Sequence, residues 1–194
     1  MEYKAQHLDI HERFKKWEGK EKIDDLEGYI LNVLAKDKYI QIAIGTDSKF
    51  RAKTVKGKLL HHVNYFTVIS FSYNGRGSHL IYRQEILRGE GRISLFDRLW
   101  KEVRMSADLA MWVFDHCGIV PEIHLDINPD EKYESNILYK SAEGFIESLG
   151  FPVEVKPNAA TASRAADHLC KFHGGQKGKR DLKEHGKLAK SKRN

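Results

Sequence analysis

The chain has 194 residues, 33 of them Lys or Arg and 27 Asp or Glu, and 41% are apolar. That composition suits one globular domain with a short appendage. Two cysteines, Cys117 and Cys170, exclude a disulfide-built scaffold. The longest unbroken apolar run, Leu109 to Phe114, is six residues, far below the roughly 20 that a membrane-spanning helix needs.

The net charge of +6 is unevenly spread. Residues 171–194 hold nine basic side chains against Asp181 and Glu184, which leaves +7 there and −1 on the other 170 residues. A basic, flexible tail over 172–194 is expected, able to attract polyanions through a salt-dependent term. Residues 1–23 lack a firm period, and a short helix is the expectation there. They also lack the apolar stretch of a secretion signal, which makes a cytoplasmic location the expectation, with no membrane association.

From Asp24 the pattern sharpens. Leu26, Tyr29, Ile30, Val33 and Leu34 predict an amphipathic helix. A strand follows from Tyr39 to Thr46, with Ala43, Gly45 and Asp47 sharing one face. Residues 49–58 read as a charged connection. Leu59 to Tyr73 is a long strand, turned at Asn74-Gly75 into a return strand over residues 78–86. Arg88, Gly89, Gly91 and Arg92 suggest a basic loop. Ser94, with Asp97 three residues on, predicts the start of a long helix, which Cys117 and Gly118 end. After it come a short strand (Glu122 to Asp126), a helix from Ile137 to Leu149, a strand at Val153 to Val155, and an alanine-rich helix running from a cap at Asn158 to Lys171. Three hairpin-like strands followed by two β-α-β steps predict an α/β domain over residues 24–171, with a mixed sheet and helices on its faces.

Asp47 and Asp126 both close predicted strands. If those strands are parallel neighbours, the two carboxylates lie together at one sheet edge, where a divalent cation is the natural compensation. Asp167, in the alanine-rich helix, can join them. The long helix can contribute Glu102, with Asp97 and Asp108 as rivals. Two Mg²⁺ or Mn²⁺ ions about 4 Å apart would suit phosphodiester hydrolysis. Asp47 would then bridge the ions, Asp126 and Glu102 would bind one, and Asp167 the other. Lys49, Lys156, Arg88 and Arg92 are candidates for contact with a phosphate backbone. His124 shares strand parity with Asp126 and is a candidate for supporting the site. No histidine or cysteine spacing fits zinc. Asp126, Asn128 and Asp130 imitate the start of a calcium loop, but Glu131 stands where glycine is required.

Ile44-Gly45-Thr46-Asp47-Ser48-Lys49, His124 to Pro129, the segment from Gly150-Phe151 to Lys156-Pro157, and Ala165-Ala166-Asp167 resemble the bacterial YkuK-type family, predicted members of the ribonuclease H-like superfamily. The resemblance implies a five-stranded mixed sheet in order 3-2-1-4-5, with helices on both faces. It also implies a metal-dependent nuclease-like site at Asp47, Asp126 and Asp167, with Glu102 or Asp97 as the helix carboxylate. The expected function is metal-dependent hydrolysis of RNA, an RNA–DNA hybrid or structured DNA. A non-catalytic nucleic-acid-binding protein on the same fold is the alternative.

Overall fold

The computed structural model describes residues 14–18, 20–37, 39–55, 57–73, 77–91, 93–159 and 161–171. The Asn74-Gly75 turn, Arg92 and the basic tail over 172–194 lie outside the described residues.

Seven strands form one sheet, in place of the five expected. In chain order they are β1 (Phe14–Lys16), β2 (Lys22–Ile23), β3 (Gln41–Val55), β4 (Lys58–Ser72), β5 (Ser78–Glu90), β6 (Glu122–Leu125) and β7 (Val153–Val155). They lie side by side in the order β2-β1-β5-β4-β3-β6-β7. β3 is antiparallel to β4 and parallel to β6, so the sheet is mixed at its centre. The expected helix within residues 1–23 is corrected where the chain is described: β1 pairs with β5, and β2 pairs with β1. Phe14 drives this, because its fully buried ring joins the main core beside Ile23 and Ile81.

The helices are α1 (Leu26–Leu34), α2 (Leu95–Cys117), α3 (Tyr139–Ser148) and α4 (Thr161–Lys171), with a short 3-10 turn over Glu134–Leu138. Alternation along the strands separates two cores. Ile42 and Ile44 of β3, with Ile69 and Phe71 of β4, pack against α1, α2 and α3. Phe66 and Val68, one residue out of phase, pack with Tyr82 against Ala165, Ala166, Leu169 and Cys170 of α4. α4 therefore holds one side of the sheet, and the other three helices hold the opposite side. None of the described helices is long and apolar enough to cross a membrane.

Two expected connections are strands. β3 runs on to Val55, so Asp47 lies mid-strand, and residues 49–55 pair with β4 up to the turn at Gly57. Arg88 and Gly89 likewise belong to β5, paired with His62 and His61. The charged and glycine-containing composition of these stretches conceals their ladder bonds, because both faces of the outer sheet meet water. Asn158 does not open α4, which starts at Thr161.

α2 begins as its sequence predicts. Ser94 Oγ accepts the Asp97 amide at 2.9 Å and donates to Asp97 Oδ2 at 2.6 Å. Gly118, at φ 68°, ends the helix in the left-handed region. Ser94→Ala should destabilise the protein by about 1 kcal/mol, seen as a melting temperature lower by roughly 2–4 °C in calorimetry. An unchanged melting temperature would show that water replaces the cap without penalty.

Candidate functional site

The site follows from register. Gly45 of β3 lies opposite His124 of β6 in a parallel pair. Two residues further along each chain, Asp47 and Asp126 come level on the same face, the one covered by α4. Gly45 allows that cover: a Cβ there would stand 2.9 Å from the Ser163 amide nitrogen and 3.0 Å from the Ala162 carbonyl carbon. His124 helps to seat the helix. Its Nδ1 accepts the Ala162 amide at 3.4 Å, so Nε2 carries the proton and donates to Glu122 at 2.9 Å. With both ring nitrogens occupied, His124 serves the packing of α4 and not the carboxylates.

α4 then carries Asp167 and Cys170 to Asp47. Burial, with the Asp126 carboxylate adding to it and Asp167 contributing less, pushes the Asp47 carboxyl up to about 6. The Ser48 amide and the Cys170 thiol donate to Asp47 and oppose that rise. Burial first, then the charge and hydrogen bond of Asp47, holds the Cys170 thiol protonated far above the usual range.

Glu102 approaches from the other side of the sheet, on α2. It is buried and accepts a 2.5 Å hydrogen bond from Ser48 Oγ. Arg98 Nη1 donates to Ser48 Oγ at 2.9 Å and lies 3.8 Å from Glu102. Burial first, then the Asp47 charge, raises the Glu102 carboxyl well above its ordinary value, with Asp126 adding less. Its rivals stand elsewhere: Asp97 caps α2, and Asp108 is buried two turns further along. Asp47 is thus coupled electrostatically to Asp126 and Asp167 on its own face and to Glu102 across the sheet.

Three of the four have cationic partners. Lys156 Nζ lies 2.7 Å from Asp126 Oδ1, Lys171 pairs with Asp167, and Arg98 faces Glu102. Asp47 forms no ion pair among the described residues. Nor does any group of three or more His, Cys, Asp or Glu among the described residues stand where it could hold a metal ion. The carboxylates are gathered but not closed into a cage.

The other candidates are placed as follows. Lys49 is exposed on the Asp47 face of β3, and Lys156 is engaged by Asp126. Arg88 is exposed on β5, a strand and not the expected loop, and Arg92 lies outside the described residues. Asp130 is an exposed turn acid, 2.6 Å from Lys132. Ser48, Arg98 and Cys170 are contacts that the sequence reading missed. Cys170 stands one helical turn from Asp167, the only signal that could have singled it out.

Residues 21–171 match the family model described as Ribonuclease H-like. No curated protein and no solved structure matches the chain.

Proposed function

We propose a nucleic-acid-binding function from one premise, that the chain belongs to the ribonuclease H-like family. A shared fold does not assign an activity, so the reading rests on how charge is arranged at this site. The observation that carries it is the position of Lys171. The last residue of α4 pairs with Asp167 and lies within electrostatic reach of Asp47 and Asp126. The basic sequence that follows, +6 over residues 172–194, is covalently joined to the helix at this point. Tethering gives its lysines a high effective concentration around anything bound there. Lys49 and Lys156 add cations on the same side. A polyanion would draw the lysines away from their carboxylate partners, with salt-dependent affinity.

The test is equilibrium binding of labelled RNA, RNA–DNA hybrid and structured DNA to the full chain in the presence of a metal chelator. Converting Lys177, Lys179 and Arg180 to glutamate should weaken binding at least tenfold at low salt and flatten its salt dependence. Wild-type protein that binds none of the three at low salt would end this reading.

A second reading, metal-dependent hydrolysis of the phosphodiester backbone, is favoured by the frustrated Asp47–Asp126 pair. Two carboxylates that repel each other electrostatically, one of them desolvated, would gain from a hard divalent cation, and an all-oxygen donor set suits Mg²⁺ or Mn²⁺. Asp47 and Asp126 would hold such an ion once Lys156 moves aside. Glu102 and Asp167 would have to release Arg98 and Lys171 to join them. Two such ions, when bound, supply charge compensation for a phosphodiester and activation of water. On this reading Mn²⁺ raises the melting temperature of the wild type but not of Asp47→Asn, and only the wild type cleaves the nucleic-acid panel. Equal cleavage by both proteins would remove it.

A further inference from the structure

Past Val63 and Tyr65, which pack against Met105 and Ile93, the three long strands continue with mostly exposed side chains. Their register aligns one unusual row. Arg51 of β3 lies opposite His62 of β4, and His62 lies opposite Arg88 of β5. Alternation puts this row on the face of Asp47 and Lys49. With strands about 4.8 Å apart, two guanidinium groups and an imidazole share a line of roughly 10 Å. Together with Leu60 and Glu90 they line a groove of about 680 Å³ at the sheet's end, to which Ala52, His61 and Gly89 of the adjoining row also contribute.

Among the described residues no acidic partner meets the two arginines of this row. The two guanidinium groups flank His62 from either side, about 10 Å apart across β4. Both arginines are exposed, and neither forms an ion pair among the described residues. The one acid lining the groove, Glu90, is engaged by Lys58 at 3.5 Å. Arginine forks match phosphate oxygens two at a time, and the open groove leaves them accessible.

We infer that Arg51, His62 and Arg88 form a phosphate clamp, gripping the nucleic-acid backbone away from the carboxylates. The clamp lies four residues along β3 from Asp47, about 13 Å at the usual strand rise. That is a span of about four nucleotides on one strand of a duplex. Lys49 stands midway along it. The clamp rests on the nucleic-acid reading above and specifies the path that the strand takes across the sheet.

The test compares three full-length proteins on one labelled RNA–DNA hybrid in chelator, with salt varied over roughly 50–200 mM. Arg51→Ala/Arg88→Ala removes the clamp. Arg104→Ala/Lys140→Ala removes two exposed cations from α2 and α3, on the opposite side of the sheet. The clamp variant should bind at least tenfold more weakly at the lowest salt, with the log–log salt slope shallower by about two. The control should stay within twofold of wild type, and matching melts would show that all three are folded. Equal binding by the two variants overturns the clamp while leaving the nucleic-acid reading intact. If wild type fails to bind the hybrid, a duplex DNA and a single-stranded RNA, both fall together.

Discussion

Asp47→Asn should make the protein more stable at pH 8 and leave it no more stable at pH 4. The carboxyl titrates near 6 in the folded chain, against an ordinary value of 3.8. A folded-state pKa raised in this way favours the native state only while the group keeps its proton. The benefit is complete below the unfolded value near 4 and is lost as pH climbs through 6. Above about pH 7 the native state carries the full penalty of a desolvated charge beside Asp126, on the order of 3 kcal/mol for a shift of about two units. Asparagine removes the charge and keeps a carbonyl oxygen to accept from the Ser48 amide and the Cys170 thiol. The expected gain at pH 8 is roughly 5–10 °C in melting temperature for a domain of this size. Thermal melts of both proteins across pH 4–8 decide it. A gain of the same size at every pH would assign the effect to packing, and no gain at pH 8 would show that Asp47 is already neutralised.

Gly45→Ala should act in the opposite direction. The added methyl has to enter space held by the backbone of Ser163 and Ala162, at 2.9 and 3.0 Å. Backbone cannot swing aside as a long side chain can, so α4 must lift from the sheet. Overpacking of this kind costs about 2–3 kcal/mol, or roughly 5–10 °C in melting temperature. The displacement also separates Asp167 from Asp47, so the apparent pKa of Asp47 should fall toward its ordinary value as solvent enters. Thermal melts read the first effect and carbon-detected NMR titration of the aspartates the second. A variant that melts with wild type would mean that α4 sits further from β3 than these distances allow.

Much of the architecture could be read from periodicity where burial enforces it. Leu26, Ile30 and Val33 mark α1, and the stripe from Leu99 to Val113 marks α2, because each meets the core on one side and water on the other. Where strands leave the core the signal disappears. Lys49 and Arg51 of β3, with Arg88 to Glu90 of β5, look like loop in composition, yet they hold ladder register to the end of the sheet. β1 and β2 are too short for any period to emerge from Phe14, Lys22 and Ile23. At the site, strand parity brought Asp47 and Asp126 to attention before any contact was known. Helical periodicity is coarser and could not separate Glu102 from Asp97 or Asp108. What distinguishes them is the hydrogen bond from Ser48, a contact between residues 54 apart in the chain. The partners Lys156, Arg98 and Cys170 were equally hidden, because each is set by tertiary packing and not by any local pattern.

The Cys170 sulfur is buried, keeps its proton and spends that proton on Asp47. The other thiol, Cys117, is partly buried and pushed up to about 11. Alkylating reagents attack thiolates, so neither position reacts readily while the native packing holds. Modification of Cys170 must then wait for the last helix to detach, which turns the pace of labelling into a clock for that local opening.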